Sequence, residues 1–211
     1  MVLVSLPREP GRRELNKADK QRRIRDAARD LFSRRGYSSI TTQEVADLAE
    51  VGTGTLFRYA TSKGELLCMV ANEQLRAMVD TVPDTGDPVE DLVTLCDPLF
   101  VALETQPENI AAYHRETLFG EPGPHREEAQ RIFRDLRGSI GEILARHSAG
   151  APGSDLEGPA QTVFDVLYMG IVRSGTDRTP GRDHRADLRL HVRRVLHGAL
   201  PTSPAHTPDS P

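Results

Sequence analysis

Two helix-start signatures bracket residues 41–62 and leave no room between them for a long helix. Thr41 is followed three residues on by Glu44, and Ser62 by Glu65. In this pattern a hydroxyl and a carboxylate satisfy the free amides of a first helical turn reciprocally. Between them, Val51-Gly52-Thr53-Gly54 reads as a tight turn, so the segment predicts two short helices, Thr42–Glu50 and Thr55–Ala60. In front, Ile24, Ala27, Ala28, Leu31 and Phe32 recur at helical spacing over Lys17–Arg35, and Gly36 supplies a stop. Behind, Ser62 opens a long helix to about Val82 whose Leu66, Leu67, Val70, Ala71, Leu75, Met78 and Val79 are spaced for burial. Two short helices joined by a glycine turn and braced by longer ones make a helix-turn-helix unit, here about 41–60.

The rest of the chain extends the same period. Helices are expected at 88–105, kinked or split at Pro98, and at 107–119, 124–148, 156–175 and 184–199. Gly120–Gly123 and Ala149–Ser154 read as linkers. Aromatic residues are 5% of the 211, tryptophan is absent and no alternating strand occurs, which argues against a β-sandwich or barrel. The fold class is therefore all-α. It divides into a flexible basic arm at 1–16, an amino-terminal three-helix helix-turn-helix domain at 17–64, a helical domain at 65–200 and a proline-rich disordered tail at 201–211.

No run of 18 apolar residues and no secretion signal is present, so the expected location is the cytoplasm, with no membrane partner. Cys68 and Cys96 are the only cysteines, which excludes a disulfide scaffold and a four-thiolate zinc site. Neither a nucleophile elbow, a phosphate loop, a dinucleotide fingerprint nor an H-E-x-x-H pair occurs, so no enzyme activity, metal or cofactor is expected. His114 reads as solvent-facing or as pocket wall, and the two cysteines as small core residues.

Charge is uneven. Residues 1–66 carry a net +4 and residues 67–211 a net −8, with +6 concentrated between Arg8 and Arg35. That asymmetry is compatible with an ordinary solvated helix and with a polyanion partner. The second short helix of such a unit enters the major groove of DNA. Thr53, Gly54, Thr55, Phe57, Arg58 and Tyr59 are its candidate reading surface, with Thr55, Arg58 and Tyr59 pointing outward and Leu56 inward. Thr42 and Gln43 at the first short helix, and Lys63 at the start of the long one, are candidate phosphate contacts. A purely structural helical hairpin is the alternative.

Residues 24–67 resemble the DNA-binding domain of the tetracycline-repressor (TetR) family of transcriptional regulators. The likeness is carried by Ala28, Leu31-Phe32, Gly36-Tyr37, Thr41-Thr42, Val45-Ala46, the run Val51-Gly52-Thr53-Gly54-Thr55-Leu56-Phe57-Arg58-Tyr59, and Ser62-Lys63 with Leu66. Glu50 stands where the family usually has glycine, Ala60 where it has phenylalanine, and Gly64 softens the following helix. The resemblance implies a homodimer on a palindromic operator in double-stranded DNA. It also implies a regulatory domain that dimerises through its last two long helices and encloses a pocket for a small effector. An effector-independent architectural or partner-recruiting dimer is the alternative.

Residues 163–172 are apolar almost all round, so both sides of that helix need covering. Val163, Val166, Leu167 and Gly170, with Leu188, Val192, Val195 and Leu196 on the last helix, are the candidate dimer interface; a central helix of a monomeric bundle is the other reading. Asp165 on this helix calls for an arginine, a ligand or the dimer axis. A pocket would draw on Phe100, Tyr113, Leu118, Phe119, Phe133, Phe164, Tyr168 and Met169, which favours a hydrophobic or aromatic effector, although each of these taken singly reads more readily as plain core.

Overall fold

Ile24, Ala27, Ala28 and Phe32 are buried on one face of α1 (Arg12–Arg35), and they close over Ile40, Val45, Ala46, Ala49, Leu56 and Ala60. These side chains come from α1, from α2 (Thr42–Leu48) and α3 (Thr53–Leu56), and from the links beside them, and they form the small three-helix core the spacing calls for. The computed structural model describes residues 11–148, 156–177, 179 and 181–199. Expectations for residues 1–10, the Ala149–Ser154 linker and the tail lie outside these. Residues 12–16, expected in the arm, belong instead to α1, which begins at Arg12, where the Glu14 carboxylate accepts the Gly11 amide at 3.2 Å.

The first capping box is complete: the Thr41 hydroxyl accepts the Glu44 amide (3.2 Å), and the Glu44 carboxylate accepts the Thr41 amide (2.7 Å). Arg35 on the same carboxylate (2.7 Å), together with Thr41, holds the Glu44 pKa below its usual value. The second box is only half formed. Ser62 accepts the Glu65 amide (3.0 Å), but the Glu65 carboxylate turns away to another helix. The third helix also differs from its expected span. α3 covers Thr53–Leu56, and the next residues continue as turns, with the Phe57 amide on Thr53 O and the Ala60 amide on Leu56 O.

Glu50 adopts φ +52°, the only non-glycine with positive φ among the described residues. A side chain in this conformation costs about 1 kcal/mol relative to glycine. Its exposed carboxylate lies 3.5 Å from Arg23, a pair worth only a few tenths of a kcal/mol in water. Glu50→Gly is therefore expected to stabilise the chain by about 0.5–1 kcal/mol, raising the melting midpoint by about 1–4 °C. A lowered midpoint in a thermal melt would assign the larger role to Arg23.

α4 (Lys63–Val79) leaves this small core and runs into the second domain, packing against α1, α7 and α8. The expected helix at 88–105 is split into α5 (Pro88–Leu95) and α6 (Asp97–Thr105), because Pro98 has no amide to continue the first helix. α7 (Pro107–Phe119), α8 (Pro124–His147), α9 (Glu157–Thr176) and α10 (His184–Ala199) follow within a residue of their expected bounds. α9 lies between α7, α8 and α10, while α10 also packs on α5. Arg189 clamps Glu90 through two bonds (2.7 and 3.0 Å), and Arg185 reaches Asp97 (3.1 Å) and Glu104 (2.6 Å), tying α10 to α5 and α6. No described helix is long and apolar enough to cross a membrane.

This packing redirects the residues expected at a dimer interface. Val163 and Leu167 of α9, and Leu188, Val192 and Leu196 of α10, are already buried within the single chain, with Val166 and Val195 packed against the same core. Gly170 lets α9 and α10 approach closely, since a Cβ there would stand 2.6 Å from Leu188 Cδ1. The all-round apolar character of α9 is used up mainly by α7, α8 and α10. Asp165 is exposed and accepts a bond from Gln161 (2.8 Å), so its expected arginine, ligand or axis is not needed for burial.

Candidate DNA interface and effector cavity

Arg58 and Phe57 are exposed on the turn after α3, and Thr53 and Thr55 are half-buried beside them. Thr53 Oγ1 donates to Gln43 Oε1 (2.7 Å), and Gln43 Nε2 donates to Asp47 (2.8 Å). This chain locks the amino-terminal ends of α2 and α3 together, so Thr42, Gln43, Thr53, Gly54, Thr55 and Arg58 share one region. Two expected contacts are engaged elsewhere. The Tyr59 hydroxyl leans on α1, 3.4 Å from Lys17 O. Lys63 Nζ donates to Ile40 O (2.9 Å) and sits 4.3 Å from the Tyr37 ring centroid, so its charge serves the fold of the unit.

Sequence reasoning undervalued the start of α1. Arg12, Arg13, Lys17 and Lys20 are exposed, and none pairs with a carboxylate among the described residues. The contact between Tyr59 and Lys17 sets this basic turn beside the reading segment. The available signal was the excess of charge between Arg8 and Arg35.

A cavity of about 760 Å³ lies between α1 and the helices of the second domain. Its wall combines Leu67, Val70, Ala71, Leu75 and Met78 of α4 with side chains of α1 and α6–α9, among them Phe32, Val101, Ile110, Ile132 and Ile171. Tyr113, Phe133, Phe164 and Tyr168 line it as expected, in a cluster with centroids 5.6–6.3 Å apart. The other four expected pocket residues do not. Phe100 is buried under Arg185 beside a separate cleft. Leu118 and Phe119, 51% and 81% exposed, project from the end of α7, and Met169 faces out from α9. His114 belongs to the wall. Most of the α4 and α6 lining was missed, because helical spacing marks a sheltered side chain without telling core from cavity.

A buried hydrogen-bond path leads from this wall to the reading segment. Tyr113 Oη donates to Asn72 Oδ1 (3.0 Å), Asn72 Nδ2 donates to His125 O (2.8 Å), and His125 Nε2 donates to Tyr59 O (3.0 Å). The fully buried Glu65 carboxylate accepts the amides of His125 (3.3 Å) and Arg126 (2.8 Å) at the start of α8, where helix polarity favours an anion. Gly123 permits this contact, since a Cβ there would stand 2.5 Å from the Glu65 carboxyl carbon, while Gly64 makes room for the Glu116 carboxylate. The cavity, α4, α8 and the recognition turn are thus mechanically continuous.

Burial pushes both Cys68 and Cys96 up to about 12, so neither thiol is a ready thiolate at neutral pH. Among the described residues no group of three or more His, Cys, Asp or Glu side chains is placed to hold a metal ion.

Residues 24–68 match the model of bacterial regulatory proteins of the tetR family. Over 185 residues the chain is 26% identical to the HTH-type transcriptional repressor KstR of Rhodococcus jostii (strain RHA1), spanning 84% of this chain and 83% of that protein. It is 27% identical over 184 residues to KstR of Mycobacterium tuberculosis (strain ATCC 25618 / H37Rv), spanning 84% and 81%. Thermus thermophilus FadR, a TetR-family transcriptional repressor solved in complex with lauroyl-CoA, superimposes with a TM-score of 0.69 at 26% identity, over 90% of this chain and all of that one. A helix-turn-helix on a helical bundle, with these relatives, marks the chain as a DNA-binding transcriptional repressor. The chain is similar to the tetR family of bacterial regulatory proteins, whose model its residues 24–68 match.

Proposed function

We infer that the protein is a cytoplasmic repressor that holds a palindromic operator as a homodimer and leaves it when a small hydrophobic effector fills the cavity. The observation that carries this reading is the double duty of α4, which braces the helix-turn-helix at one end and walls the cavity with Leu67, Val70, Leu75 and Met78. A ligand that prefers one position of α4 biases the placement of the recognition turn, and DNA biases ligand affinity equally in return. At about 760 Å³ the cavity falls among ligand sites of about 300–1,000 Å³, which favours this reading over an effector-independent dimer.

One solved relative supports a hydrophobic effector. FadR is solved with lauroyl-CoA, and the apolar lining here suits an acyl chain or a comparable hydrophobic body. Dimerisation falls to the outward faces of α9 and α10, where Met169 and Leu190 are exposed, rather than to their inward stripes. The test is operator binding by fluorescence anisotropy, with DNA from upstream of the gene itself and lauroyl-CoA as the probe. Operator affinity should drop at least tenfold as lauroyl-CoA saturates the protein. Tight lauroyl-CoA binding with unchanged operator affinity would favour the effector-independent dimer.

A further inference from the structure

His114 and Tyr168 stand out in the cavity wall because nothing in the protein fully satisfies their polar atoms. Neither ring nitrogen of His114 nor the Tyr168 hydroxyl has a hydrogen-bond partner, although all three atoms are buried. Native proteins rarely leave such groups alone, and an exception in a cavity wall points to a missing ligand or water. Several other polar side chains of the wall are anchored. Tyr113 donates to Asn72, Arg29 pairs with Asp26 (3.1 Å) and with Glu73, and Gln106 donates to Ser33 O. Asn109 is held through its amide nitrogen on Phe32 O (3.0 Å), leaving a single free acceptor beside α1.

The two unsatisfied rings adjoin. His114 and Tyr168 meet edge to face with centroids 4.7 Å apart, flanked by Tyr113 and Phe133. Thr117, the neighbouring hydroxyl on α7, donates to His114 O (3.1 Å) and lies near the Tyr168 hydroxyl without a well-aligned bond to it. A neutral imidazole offers one donor and one acceptor, and a phenol offers both, so a single small oxygen group can be bound from two sides.

We propose that this corner of the cavity is a subsite for one uncharged oxygen group, a hydroxyl or a ketone, carried on the apolar body of the ligand. The proposal deepens the effector reading above and rests on it. An anionic group is disfavoured here. Burial lowers the His114 pKa to about 4, so at neutral pH the ring carries no charge, and it raises that of Tyr168. Among the described lining residues there is no lysine, and the one arginine, Arg29, is already neutralised by Asp26 and Glu73. A buried carboxylate at this corner would lose its hydration with no cation to replace it.

The test uses the full chain and displacement of the neutral fluorophore N-phenyl-1-naphthylamine by 1-decanol, 2-undecanone, decane and decanoate. Decanol and undecanone should displace the dye at concentrations at least tenfold below decane, against their lower hydrophobicity, and decanoate should be weakest. Tyr168→Phe keeps the ring and removes only the hydroxyl; alone or with His114→Phe, it should erase the advantage of decanol while leaving decane unchanged. Tyr168→Phe suffices where the double variant does not fold. Equal displacement by decanol and decane, an advantage that survives Tyr168→Phe, or preference for decanoate would each overturn the subsite while leaving the cavity reading intact. Failure of the dye and of every probe to bind the wild type would instead overturn the cavity reading itself.

Discussion

Arg58→Ala should weaken operator binding by about 1–3 kcal/mol at each half-site, since a guanidinium reading a base edge is worth about that much. A two-fold complex feels the change twice, so the expected loss is roughly 30- to 20,000-fold in operator affinity. The magnitude follows from exposure: Arg58 is outside the three-helix core and pairs with no described carboxylate, so its whole fork is free for DNA. Folding should be unaffected. Binding to random DNA should fall by far less, with a salt slope reduced by about one at most. Equal losses on operator and random DNA, measured by anisotropy over a salt series, would make Arg58 a phosphate contact and shift base reading to Thr55 and its neighbours.

Val192→Asp should unfold the regulatory domain. Val192 is fully inaccessible within a single chain, on the face of α10 that packs against α9 and α5. A lone carboxylate there costs several kcal/mol, a large part of a typical net stability of about 5–15 kcal/mol. The far-ultraviolet circular dichroism should lose its cooperative transition or melt at a much lower temperature. Met169→Glu is the counterpart. Met169 is exposed on α9, so the variant should melt near wild type, yet sediment as a monomer if that face joins two copies. A folded, monomeric Val192→Asp would return the α10 stripe to the dimer interface.

These expectations divide along the line between local and tertiary information. Caps, breaks and stops are decided within about four residues, so the Thr41–Glu44 box and the break at Pro98 were legible in the sequence, as was the helical period that placed nine helical segments, one of them kinked or split; Glu50 stood out only through the family resemblance. The reading segment was legible for the same reason: Leu56 inward and Arg58 outward follow from the short helical turn itself. The sheltered faces were a different matter. Leu188, Val192 and Leu196 share one spacing whether a neighbouring helix, a second copy or a ligand covers them, because periodicity records exclusion from water and not the identity of what excludes it. Only the packing of α10 on α9 and α5 assigned them to the core of one chain. The carboxylate of Glu65 likewise served α8 rather than its own helix start, and His114 reached the cavity wall, because long-range neighbours supplied or withheld the partners. The sequence by itself thus determined the helices and the DNA-reading unit. The tertiary structure decided which apolar faces became core, cavity or exposed surface, since that depends on contacts between residues tens of positions apart.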